Sequence, residues 1–191
     1  MRNQYGFFAL VALALAMPSV IRADPPAAAP PGSANVGDVR VQNLKAYTYA
    51  FVSTQTSLNK LQDAIAELMP RIDAAMDSGA LRPIGGVVFT YHGATQDPTK
   101  PFTLDIGVMV KDGNAKPDGI QLIKVGPLYC ATVIYTGPAA QLGQAYGKLY
   151  GEIGRHGWQA SDVSREVYLY WEGAESVNNV IQVQADLSPT N

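Results

Sequence analysis

The chain has 191 residues, is 47% hydrophobic and 16% charged, and carries a formal net charge of −2, a composition that builds a core and excludes a disordered chain. Without Arg2 and Arg22, which fall in a segment expected to be removed, 12 basic residues face 16 acidic ones, a net charge of −4 that gives no footprint for a phosphate backbone. One cysteine, Cys130, closes no intrachain disulfide, and one Cys with two His makes no zinc site of usual spacing, so no metal is expected.

The chain opens as a secretory signal. Arg2 supplies a positive start, Phe7 to Met17 is an unbroken apolar run of 11 residues, Pro18 breaks it, and Ala23 offers the small residue before a cut. An uncleaved anchor is the competing reading, but a span needs about 20 apolar residues. Residues 1–23 are therefore read as a signal peptide, with export to the periplasm or medium and no stable membrane insertion afterwards. Asp24 to Gly37 (DPPAAAPPGSANVG) has the composition of an extended tether. The folded domain is expected over residues 38–188.

Val39 to Ser53 is β-branched and aromatic, and predicts a strand. Leu58, Leu61, Ile65, Leu68, Met69, Ile72 and Met76 recur at helical spacing; Pro70 removes one helical hydrogen bond and Gly79 suits a stop. Gly86–His92 and Phe102–Val110 follow as strands, the second with clean alternation, and Lys111–Gly119 is a turn-rich loop. The order then restarts. Ile120–Tyr135 is strand-like with a break at Gly126-Pro127, and Gly137-Pro138 opens a helix whose stripe is Leu142, Ala145, Tyr146, Leu149 and Ile153, closed by Gly157. Arg165–Trp171 and Val180–Leu187 complete the second set. Two βαββ modules predict an α+β domain with pseudo-two-fold symmetry, helices on one side of the sheet and a concave ligand groove on the other.

In SREVYLYW (Ser164–Trp171), alternation sends Val167, Leu169 and Trp171 to the core and places Glu166 with Tyr168 and Tyr170 on the opposite face, away from the helices. A carboxylate among aromatic rings is a receptor for a lipophilic cation through charge pairing and cation–π attraction. Burial would raise its pKa, which also suits a general base. The residue pattern fits equally well a solvated glutamate paired with Arg165.

The second half, YCATVIYTGPAAQLGQAYGKLYGEIGRHGW followed by SREVYLYW, resembles the GyrI-like small-molecule-binding family, which includes effector-binding domains of AraC- and MerR-type multidrug regulators. The matching positions are Tyr135, Gly137, Pro138, Leu142, Ala145, Tyr146, Leu149, Gly157, Trp158, Glu166 and Tyr168. A weaker match in the first half runs through YHG (Tyr91–Gly93) and FTLDIGVMV. The resemblance implies a duplicated βαββ fold with a groove between the repeats for amphipathic or cationic aromatic compounds, and it assigns Glu166 as the charged partner. Tyr168 then lines the groove, and Tyr91, Tyr49 and Trp158 join as further ligand-binding candidates. Some members of that family look like hydrolases of strained electrophiles, so an enzyme with Glu166 activating water stands as the alternative. The sequence departs from the regulators in its expected export and in showing no helix-turn-helix ahead of the domain, so a small molecule rather than nucleic acid is the expected partner.

Other features read as structural. His156 sits at a helix end, where a cation suits the dipole. Cys130 is a small hydrophobe in an apolar strand. SOUL-type haem-binding proteins share the fold, but His92 has no second haem ligand nearby in sequence, and no cofactor is expected. Asp105 and Glu166 are a conceivable carboxylate pair across the groove. Gly143, Gly147 and Gly151 fall four residues apart on the second helix, at a cost of about 1 kcal/mol each relative to alanine. Close approach of another backbone and an exposed face that tolerates glycine both account for that stripe.

Overall fold

The computed structural model describes residues 34–113 and 116–188. Residues 1–33, which hold the expected signal peptide and most of the expected tether, lie outside the described residues. Nine strands and two helices follow in the order β1 (Asn35–Val36), β2 (Arg40–Leu44), β3 (Tyr47–Thr56), α1 (Leu61–Asp77), β4 (Pro83–His92), β5 (Phe102–Val110), β6 (Gln121–Val125), β7 (Leu128–Thr136), α2 (Gly143–His156), β8 (Ala160–Tyr170) and β9 (Val180–Leu187). Both helices form where the apolar stripe predicts them. Leu61, Ile65, Leu68, Met69 and Ile72 of α1 are buried against the sheet, as are Ala145, Leu149 and Ile153 of α2. Each buried leucine or isoleucine contributes about 1.5–3 kcal/mol. Pro70 is accommodated inside α1, and Gly157 ends α2 at φ 68°, a left-handed conformation that glycine adopts without a Cβ penalty.

All pairings are antiparallel, and the strand order is β1-β7-β9-β8-β4-β5-β3-β6, with β2 also on β7. The first module contributes β3-β5-β4 and the second β7-β9-β8, so the modules meet at the β4–β8 pair. In that pair Phe89 is the register partner of Glu166. Helix α1 packs on β3 and β5, and α2 on β7 and β9. The two central strands are left between the helices.

The tether gives way to the sheet earlier than expected, because Asn35 and Val36 pair with Thr136 and Tyr135 of β7. The stretch read as a single strand, Val39–Ser53, divides in two, and Ile120–Tyr135 is interrupted at Gly126-Pro127 as expected, giving β6 and β7. β2 on β7 and β3 on β6 keep one continuous register across the breaks, from Leu44 opposite Leu128 to Tyr47 opposite Val125. This double connection draws the two ends of the sheet together and curls it. The face away from the helices is therefore filled by its own side chains and is not the expected groove. Tyr49, Phe51, Val88 and Val167 cluster there, alongside a buried Arg165 whose guanidinium is paired bidentately with Asp186.

Gly86 is required by close approach. A Cβ there would lie 1.9 Å from the Tyr168 carbonyl oxygen across the β4–β8 seam. Gly86→Ala forces the strands apart beside Tyr168 and is expected to cost at least about 2 kcal/mol, read as a lowered midpoint in denaturant unfolding. A midpoint equal to wild type would show that the seam relaxes freely.

Candidate functional site: a groove between the helices

Because each helix covers the outer strands of its own module, the helix-side face of β4 and β8 forms the floor of a cavity of about 540 Å³. That volume suits a drug-sized ligand. One wall comes from Leu58, Leu61 and Ile65 at and before the start of α1. The other comes from Tyr146, Gly147, Tyr150 and Gly151 of α2. Tyr91, Ser164, Glu166 and Tyr168 rise from the floor, and the loop segment Ala94–Gln96 closes one end.

The groove thus opens on the helix-covered face of the sheet. Alternation pairs Glu166 with Tyr168 as expected, but both point towards the helices. Val167 packs in the cluster on the other face. Leu169 and Tyr170 are half-exposed, at 53% and 47%, where the β8–β9 register shifts between Tyr168 and Tyr170.

Glu166 is 5% exposed. Its carboxylate accepts a hydrogen bond from the Tyr146 hydroxyl at 2.7 Å on Oε1 and from the Tyr168 hydroxyl at 2.8 Å on Oε2. The Tyr91 hydroxyl lies beside the same carboxylate and favours its ionised form. Burial pushes the Glu166 pKa above the ordinary glutamate range, and the three phenol donors pull against that rise. Burial, reinforced by the neighbouring carboxylate, holds all three tyrosines well above their usual range, so they remain donors at neutral pH. Glu166 is the only carboxylate or cation among the residues that line the cavity. An aromatic wall continues through Tyr168, whose ring lies 4.9 Å from Phe89 and 5.3 Å from Trp171.

Three of the five ligand-binding candidates, Glu166, Tyr168 and Tyr91, come together in this cavity. Tyr49 does not. It is buried on the opposite face, stacked on Phe51, with its hydroxyl donating to the carbonyls of Val88 and, at 3.2 Å, Asp105. Both residue sets of β3 are apolar, and the small Ala50 and Val52 face α1 while the large rings fill the inside of the curl. Trp158 lies past the end of α2, stacked on His156 at 4.5 Å, and is outside the lining. Asp105 shares the far face with Tyr49, where it accepts from Ser53 and contacts His92 Nε2 at 2.8 Å, so it cannot pair with Glu166. Cys130 is buried, its thiol pushed up to about 11 by burial. Sequence reasoning missed Tyr146 as a site residue because its place in the α2 stripe reads as core. The repeated Tyr-Gly pairs of YGKLYG were the available signal.

A buried acid held by phenols between two repeat-related helices defines a small-molecule-binding domain of the duplicated βαββ class. The sequence profile described as "GyrI-like small molecule binding domain" matches residues 37–180, and the chain belongs to that family. Among curated proteins compared by sequence, none matches. Solved structures similar in fold include the C-terminal domain of EcmrR (18% identity over 80% of this chain and 98% of that one, TM-score 0.63). In the complex of EcmrR with DNA the match covers 80% of this chain but 58% of the EcmrR chain, with 16% identity and TM-score 0.65. SAV2435 bound to tetraphenylphosphonium is similar at 12% identity over 79% and 94% of the two chains, TM-score 0.59. A hydrolase from Listeria innocua is similar at 9% identity over 78% and 91%, TM-score 0.53.

The hydrogen bonds at Glu166 give a direct test. Tyr146→Phe removes one donor while keeping the ring, so the Glu166 titration is expected to move further up. Carboxyl-carbon NMR of labelled protein reads the midpoint. An unchanged or lower midpoint would show that Tyr146 does not hold the ionised form.

Proposed function

We propose that this protein binds a lipophilic, cationic aromatic small molecule in the groove between its helices, with Glu166 as the charged partner, and that it does so outside the cytoplasm after export. The observation that carries the reading is a single buried carboxylate, ringed by Tyr91, Tyr146 and Tyr168, in an otherwise uncharged cavity. A carboxylate in such a setting attracts a cation more strongly than it would in water, and the ring faces add cation–π attraction. The aliphatic wall from α1 supplies apolar area for the rest of the ligand. The tetraphenylphosphonium bound to SAV2435 is a compound of this class. Export rests on Arg2, the run from Phe7 to Met17 and Ala23. Among the described residues no helix is long and apolar enough to cross a membrane.

A hydrolase is the second reading. It is favoured by the raised pKa of Glu166, which makes it a stronger base than an ordinary glutamate, and by the Listeria innocua neighbour described as a hydrolase.

Calorimetric titration with tetraphenylphosphonium and with neutral triphenylphosphine oxide separates the outcomes. Glu166→Gln is expected to weaken the cation at least about tenfold, or 1.4 kcal/mol, and to leave the neutral compound within about threefold. The sign of the pH dependence follows from the raised pKa. Protonation removes the charge, so wild-type affinity for the cation falls as pH drops through the Glu166 titration, while the Gln variant stays flat. Equal cation binding by the variant would overturn the role of Glu166. Turnover of an activated epoxide that disappears in the same variant would establish the hydrolase instead.

A further inference from the structure

We propose that Asp73 is a pH-sensitive catch in α1: while its carboxylate is charged, the helix end beyond Pro70 is loosened, and on acidification that end tightens against the sheet. The proposal stands apart from the groove, since Asp73 is not among the residues that line it. Pro70 has no N–H, so the helical ladder lacks one bond there and α1 is divided into two halves. The first half carries the groove wall through Leu61 and Ile65. The second half, residues 71–77, anchors the fully buried Ile72 together with Ala75. Its end is closed by the N–H groups of Ser78, Gly79 and Leu81, which donate to the carbonyls of Ala74, Met76 and Ala75 respectively.

In this half one carboxylate oxygen of Asp73, Oδ1, is buried and has no hydrogen-bond partner among the described residues. The last turn of α1 holds no basic residue, so Asp73 and Asp77, one turn apart, both face the negative end of the helix dipole. The strands beneath offer nothing ionic: β3 presents Ala50 and Val52 to α1, and β5 presents Ile106 and Val108 opposite them. At the outer edge of the sheet Asp112 and Lys124 are paired with each other. Arg71 donates to the Gly119 carbonyl, on the loop that also carries Lys116 and Asp118. Neither these groups nor Arg82, which follows the helix, acts on Asp73; Asp77 is the one charged group that does. Burial, reinforced by the Asp77 charge, pushes the Asp73 carboxyl up to about 6. A value above the ordinary aspartate range means that the folded helix end holds a proton more tightly than the unfolded chain. Stability is therefore lost as pH rises towards about 6, and is regained as pH falls back towards the ordinary range.

Amide hydrogen exchange reads the catch, with each rate referred to its intrinsic value at the same pH. In the wild-type protein, residues 74–81 are expected to gain about threefold to tenfold in protection between about pH 7.5 and about pH 5. The lower figure allows for solvent screening, since Asp73 is part-exposed. Asp73→Asn is expected to give the same protection at both pH values. Asp77→Asn keeps the titrating group and removes its neighbour, so carboxyl-carbon NMR should place the Asp73 midpoint below the wild-type one; this variant tests the catch even where Asp73→Asn disturbs folding. Glu166→Gln should keep the gain at residues 74–81, which separates it from titration in the groove. Protection there that does not change with pH would overturn the proposal, as would a gain that persists in Asp73→Asn or vanishes in Glu166→Gln. A wild-type Asp73 midpoint in the ordinary aspartate range would overturn it as well.

Discussion

The β4–β8 pairing is the constraint on which the site depends. It is the only seam between the two modules in the middle of the sheet, and it fixes what lies on the pseudo-two-fold axis. Each helix follows the first strand of its module and packs on that module's two outer strands, so neither can cover the seam. A gap over the central strands is thus a consequence of the duplication. At the seam Phe89 is the register partner of Glu166, and Tyr91 and Tyr168 line the groove beside them from β4 and β8. The groove therefore has phenols from both modules and one carboxylate.

That charge is stable only because of what surrounds it. Removing a carboxylate from water costs several kcal/mol, and an unpaired one takes up a proton instead. Here no basic side chain lines the cavity. The compensation comes from hydroxyl donors on three elements: β4, α2 and β8. Phenols are well suited to this role, since burial beside an anion raises their own pKa and keeps each proton in place. An arginine would have satisfied the glutamate more strongly, as Arg165 does Asp186 on the other face, and would have left no net charge for a ligand. Hydroxyl donors hold the carboxylate while leaving its charge uncancelled. The contrast between the two faces is that between a structural ion pair and the site proposed for a cation.

Much of this arrangement was legible in the sequence. The repeat of strand, helix, strand and strand could be read from spacing, as could both helices and the Gly157 stop. So could the sharing of one face by Glu166 and Tyr168. Which face that was could not be read, because alternation assigns residues to a common side and says nothing about which side meets the helices. Both faces of this sheet are apolar, one against α1 and α2 and the other inside the curl, so Val167 was correctly core and yet on the face away from the helices. The same ambiguity misplaced Tyr49. The curl itself depends on a register carried across Lys45–Ala46 and Gly126–Pro127, a pairing between segments some 80 residues apart that no local pattern encodes. Tyr146 was hidden because a stripe that lines a groove and one that fills a core have the same period.

Two departures from good folding practice converge on one place. A glutamate is buried without a basic partner in the cavity lining, and two central strands are left without a helix over them. Each taken alone has a bland explanation, since proteins tolerate single costs of about 1 kcal/mol widely. Their coincidence around one cavity does not. The outer strands, the buried stripes of both helices and the Arg165–Asp186 pair supply the stability that the centre gives up. A sequence satisfies its local rules except where function requires otherwise, and in this chain the exceptions outline the space that a ligand would fill.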